Sequence, residues 1–128
     1  MRTRIVLLLL ASAWLFACAE AESRITPISP EALLSAPPAG ALILDVRRPD
    51  EYGTSHVPGA INVPHDQVEA RIAELGEDRD RTIVVYCESG RRAGMAGDVL
   101  LAAGFSDVRH LEGDMSGWRE AGRPTAQP

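Results

Sequence analysis

The chain has 128 residues, of which 13 are basic and 18 acidic, for a net charge of −5. All the basic residues are arginine, a compositional bias, and the acidic balance excludes a protein that binds nucleic acid by neutralising phosphates. About 105 residues follow an N-terminal leader, room for one compact domain and too few for two.

The leader comes first. Arg2 and Arg4 precede an apolar run over residues 5–16, shorter than the roughly 20 residues of a membrane span. Residues 1–21 therefore read as a secretory signal. Leu15-Phe16-Ala17-Cys18 is similar to a bacterial lipoprotein box, which would end the signal at residue 17 and make Cys18 a lipidation site. Cleavage after Ala19-Glu20-Ala21 would discard Cys18 instead. Either way the domain is expected to be exported to a bacterial periplasm, touching the membrane only through such an anchor.

Strand and helix signals then alternate. Ser29-Pro30-Glu31 supplies an N-cap, a proline in the first turn and an acidic residue, opening a helix to about residue 35. Residues 41–46 are a continuous apolar run, as in a strand covered on both faces. A short helix is expected near residues 49–52 and a short strand over 60–63. Asp66 and Glu69 have capping-box spacing ahead of Val68, Ile72 and Leu75, predicting an amphipathic helix. Residues 82–86 form the most hydrophobic strand, followed by a helix over 92–103 with Gly104 past its end. A last strand over 107–111 and a last helix over 115–121 complete a domain spanning 25–122, with 123–128 as a flexible tail. Strands separated by helices imply parallel pairing, and ligands in such sheets sit at the carboxyl ends of strands.

Cys87 lies at such an end, in Tyr86-Cys87-Glu88-Ser89-Gly90-Arg91-Arg92. It is the only cysteine outside the leader, so it has no partner for an intrachain disulfide. A glycine-containing loop, a following helix N-terminus and two guanidinium groups all favour thiolate over thiol, and the thiolate is the nucleophile. The backbone N–H groups of Glu88, Ser89, Gly90, Arg91 and Arg92 can cradle sulfur and a small anion. Gly90 permits a close approach that a Cβ would block. Ser89 can donate a hydroxyl hydrogen bond, and Arg91 and Arg92 can attract an incoming anion.

Five segments in order resemble the rhodanese family: Asp45-Val46-Arg47 with Glu51-Tyr52, His56-Val57-Pro58-Gly59-Ala60-Ile61-Asn62-Val63-Pro64, Tyr86-Cys87-x-x-Gly90-x-Arg92, Leu111-x-Gly113, and Trp118. The likeness is greatest to small exported single-domain thiosulfate sulfurtransferases. It implies an α/β fold, a single domain with a five-stranded parallel sheet and helices on both faces, and a cysteine that carries sulfane sulfur as a persulfide. The implied substrates are a small anionic sulfur donor and a thiol or cyanide acceptor, with no cofactor. Cysteine phosphatases hold phosphate in a longer cradle with Arg six positions after Cys. Here residue 93 is Ala and the last Arg stands five positions after Cys87, a loop better suited to sulfur.

Other polar residues receive supporting roles. Arg47 and Glu51 are expected to pair and pin the loop after their strand. Asp45 is expected to hydrogen-bond loop backbone behind the site. His56, His65 and His110 lack metal-ligand spacing, so no metal is expected. Trp118 reads as core. Where the family commonly has two glycines, this chain has Gly113-Asp114. Asp114 either caps the last helix, the favoured reading, or brings negative charge to the mouth of the site, where it would weaken anion capture and disfavour the thiolate. Two functions stand: an enzyme moving sulfur from thiosulfate or a related donor to a small nucleophile, or an envelope carrier exchanging Cys87 persulfide sulfur with a protein partner. A non-catalytic binding module is a weaker third, having no need of a loop cysteine.

Overall fold

A computed structural model describes residues 24–128. The expected signal over residues 1–21, with Cys18, lies outside the described residues. The elements in chain order are β1 (Thr26–Ile28), α1 (Pro30–Ser35), β2 (Leu42–Asp45), α2 (Pro49–Thr54), β3 (Ile61–Asn62), β4 (Thr82–Tyr86), α3 (Arg91–Ala102), β5 (Asp107–Leu111) and α4 (Asp114–Glu120). The five strands form one parallel sheet in the order β1-β5-β4-β2-β3.

β4 is central, and its side chains alternate between two cores. Ile83, Val85 and Cys87 face a cluster with Leu44, Val46, Ala93, Ala96, Leu100, Phe105 and Val108. Val84 and Tyr86 face a second cluster with Leu33, Val57, Leu111, Met115 and Trp118. α3 covers the first face, whereas α1 and α4 cover the second. A strand buried on both sides has no polar face to show, hence its unbroken apolar run. Each large side chain so buried contributes about 1.5–3 kcal/mol relative to exposure.

The local signals explain most element ends. Ser29 Oγ accepts from the Ala32 N–H at 3.1 Å and caps α1, with Pro30 at its first position. Buried Ala93, Ala96, Gly97 and Leu100 follow helical spacing along α3. β1 carries no periodic signal: three residues including Pro27 pair with β5 at the sheet edge, where a missing N–H is tolerated.

Two expectations are corrected. Residues 66–75 form no amphipathic α-helix but two 3₁₀ turns, His65–Gln67 and Ile72–Leu75. Asp66 lies inside the first turn, whose cap is Pro64, so it forms no capping box. Val68 and Leu75 reach the core all the same, Val68 from just past the first turn and Leu75 from the end of the second. Residues 123–128, expected as a flexible tail, are tied down. His56 and Ala126 exchange backbone hydrogen bonds at 2.9 and 2.8 Å, and Trp118 Nε1 donates to the Pro124 carbonyl at 2.7 Å. Polarity and a terminal place suggested disorder, but these partners hold the segment against α4 and the residues that follow α2.

Candidate active site

Cys87 follows β4 directly and is 1% exposed. Its Sγ accepts a hydrogen bond from the Gly90 N–H at 3.0 Å. Gly90 makes this return with φ +112, a left-handed backbone that also caps α3. Ser89 and Arg91 stand on the exposed rim of the loop. The first N–H groups of α4 are committed to the same loop: Met115 donates to the Cys87 carbonyl at 2.9 Å and Ser116 to the Glu88 carbonyl at 3.2 Å.

Asp114 completes this fastening. Its Oδ1 accepts from the Cys87 N–H at 3.0 Å and pairs with His110 Nε2 at 2.9 Å. The hydrogen bond with Asp114 holds the His110 imidazole above its ordinary value, against the opposing effect of burial. The favoured capping reading of Asp114 is corrected, since α4 has Gly113 as its cap and no side-chain cap bond. The carboxylate turns back to the Cys87 loop instead. Asp114 keeps φ +54, the only positive φ at a non-glycine residue among the described residues. That backbone costs a residue with a Cβ about 1–2 kcal/mol.

The expected Arg47–Glu51 pair does not form. Arg47 makes a two-pronged contact with Asp45, with Nη2 at 2.8 Å from Oδ2, and donates to the Ser55 carbonyl at 2.7 Å. Both side chains are buried, and Tyr86 joins them by donating its hydroxyl to Asp45 Oδ2 at 2.6 Å. Burial, then the Asp45 charge, raises the Tyr86 phenol well above its usual range, so it stays a donor. Asp45 thus reaches loop backbone only at the Arg47 N–H, 2.9 Å away, and stands behind the site through Arg47. Glu51 bonds Arg92 instead, at 2.7 and 3.2 Å, and that contact lowers its carboxyl to about 2. These partners lie 41 residues apart, so local spacing pointed to the wrong arginine. Arg92, expected to be ready for an anion, is already answered by a carboxylate.

Glu88 points outward, where Arg119 of α4 clasps it and Arg47 Nη1 lies 3.9 Å away. Arg47, Glu51, Thr54, Ser55, Glu88 and Arg119 line an open cleft of about 220 Å³ beside the loop. A slightly larger hollow, about 270 Å³, is lined by Ile72 and the end of α3, at the opposite end of that helix from the loop. Arg119 carries no signal in the sequence, and His110 only its lack of metal-ligand spacing. Their places gain meaning once the turn at Gly113 is known.

The loop has the form sulfur chemistry requires: one thiol at a strand end, a backbone N–H aimed at it and cations within reach. The rhodanese-like domain family matches residues 29–121. The chain is a rhodanese-family protein. It is 41% identical over 70 residues to a thiosulfate sulfurtransferase, PspE, of Escherichia coli, covering 55% of this chain and 67% of that one. It is 40% identical over 76 residues to the putative sulfur carrier protein YrkF of Bacillus subtilis, covering 59% of this chain but only 40% of that protein's length. A solved structure described as a rhodanese with anions, from E. coli, superposes with a TM-score of 0.57 at 33% identity, covering 69% of this chain and 99% of its own. The first of these relatives is named for sulfur transfer and the second for carrying sulfur.

Proposed function

We propose that this rhodanese-family chain is a sulfurtransferase that moves sulfane sulfur from thiosulfate or a related donor to a thiol or cyanide through a Cys87 persulfide. The observation that carries the reading is the Gly90 N–H aimed at Cys87 Sγ from a loop of Cys-x-x-Gly-x-Arg form. The Cys87 thiolate attacks the outer sulfur of thiosulfate, a new S–S bond forms, and the old one breaks with its electron pair leaving on sulfite. The persulfide anion then lies where N–H groups of the loop stabilise it, with Ser89 and Arg91 at the entrance. An acceptor nucleophile attacks the terminal sulfur, and Cys87 departs as thiolate, which restores the starting state. Arg92 serves as an anion-binding group whose charge is moderated by Glu51.

Incubating the domain with thiosulfate adds about 32 Da at Cys87 in intact mass spectra, and cyanide removes it. Cys87→Ser shows neither the addition nor sulfite release, and robust transfer by that variant would overturn the assignment. The likeness to a sulfur carrier favours a second reading, in which a protein in the cell envelope is the partner. Loading without steady-state turnover on cyanide would select it. Residues 1–21 are proposed as an export signal, with Cys18 as the anchor if it becomes the first mature residue. A free amino terminus at Glu22 in the mature protein would rule out the anchor.

A further inference from the structure

Behind the Cys87 loop lies an ionisable pair that the reaction above does not use. Asp114 is 4% exposed, and its Oδ1 serves both the Cys87 N–H and His110 Nε2. A Cβ built on Gly90 would stand 3.2 Å from Asp114 Oδ2 and 3.5 Å from His110 Cε1. Both side chains therefore press on the residue whose N–H holds the sulfur. A carboxylate in this place repels a thiolate or persulfide anion, and an imidazolium bonded to the same oxygen cancels that repulsion. A backbone kept at φ +54 by a non-glycine residue shows that the fold tolerates strain to keep the carboxylate there.

We propose that His110 is a positioning residue for sulfur transfer: as imidazolium it neutralises Asp114 behind the loop and keeps the Cys87 anion populated at a lower pH than it would otherwise be. The inference rests on Cys87 as the sulfur carrier. Its hydrogen bond with Asp114 already favours the imidazolium, and Glu112 at the end of β5 acts in the same direction. The residues opposite His110 in the neighbouring strands, Pro27 and Val85, carry no charge, nor does Gly90 in the loop. Arg92, whose field also reaches Cys87, is answered by Glu51, which leaves His110 as the group near Asp114 whose charge changes near neutral pH.

The test is the rate of Cys87 alkylation by iodoacetamide between pH 5 and 10 in wild type, His110→Gln, Asp114→Gly and the double variant. Glutamine retains an N–H donor for Asp114 but never carries the charge. His110→Gln is expected to slow alkylation about tenfold near pH 6, the equivalent of one pH unit in thiolate population. In the Asp114→Gly background His110 loses the partner that favours its imidazolium while burial still opposes the charge, so the same change is expected to alter the rate less than about twofold. Equal rates for wild type and His110→Gln, or an undiminished effect without Asp114, would overturn the proposal. If His110→Gln does not fold, wild type decides by NMR. Capping Cys87 with a neutral carbamidomethyl group lowers the His110 titration midpoint by about half a pH unit if the charges are coupled, and leaves it fixed if they are not. Alkylation needs no sulfur donor, so failure here differs from failure of the sulfurtransferase reading, which would appear as no mass gain with thiosulfate.

Discussion

The floor and the rim of the Cys87 loop are both built from acid–base pairs, yet the two regions work differently. On the floor, Asp45 and Arg47 are 0% and 3% exposed, and Asp114 is nearly as buried. On the rim, Glu51 with Arg92 and Glu88 with Arg119 are open to solvent by about a fifth to nearly a half. A buried pair must stay complete, because removing one partner strands a charge in low dielectric, whereas a solvated pair can open and lend its cation to a visiting anion. In the proposed sulfur transfer, the floor would set the position of the sulfur and the rim would supply charge on demand.

The largest effect expected from breaking this contrast lies on the floor. Asp45→Ala leaves Arg47 without its buried carboxylate partner and the Tyr86 hydroxyl without its acceptor, and should cost about 3–5 kcal/mol in urea unfolding. Next comes Asp114. Replacement by Ala strips the Cys87 N–H of its acceptor, for a loss of about 1–3 kcal/mol. Asp114→Gly removes the same acceptor but relieves the left-handed strain, so it should be the milder variant by about 1 kcal/mol. An Ala variant as stable as the Gly variant would mean that φ +54 carries no strain.

A third test uses pH and has opposite signs on the two levels. The Glu51 carboxyl is lowered to about 2 by Arg92, so the pair's contribution is complete above about pH 4.5 and fades as pH falls towards 2. Solvent screening keeps it near 1 kcal/mol, and Glu51→Gln should flatten that part of the stability curve. His110 is raised by Asp114, so its contribution is complete below about pH 6.5 and fades as pH rises through the raised value. The smallest effect belongs to Arg119→Ala, whose exposed pair with Glu88 should contribute less than about 0.5 kcal/mol and vanish in high salt. Glu51→Gln should also lower the KM for thiosulfate severalfold by releasing Arg92, and an unchanged KM would place anion capture elsewhere.

The same contrast separates what was legible in the sequence from what was not. β4 announced itself because both its faces are buried, and the Cys87 loop because cysteine, glycine and arginine at that spacing serve few purposes other than anion chemistry. β1 stayed silent: three residues at a sheet edge need no pattern, and a fifth strand entered only through the family resemblance. The spacing of Val68, Ile72 and Leu75 placed their side chains but misnamed the backbone, since two 3₁₀ turns satisfy the same burial. Pairings were the least legible. Arg47 and Glu51 are close in sequence, yet each found a better partner, one two residues back and the other across the sheet in α3. The His110–Asp114 contact depends on the turn at Gly113, which folds two ordinary positions into one charged unit.

The pairing of β1 with β5 also bears on when this domain can form. Thr26 lies opposite Arg109, and among the described residues β1 has no other strand beside it. β1 must therefore wait for the last strand, β5, to emerge during synthesis, and the segment holding Ala126, which pairs with His56, emerges later still. Contacts between such distant parts of a chain are slow to close. A nascent chain of this design keeps its sheet open until residues 107–111 have emerged, which leaves a window in which it is still a thread.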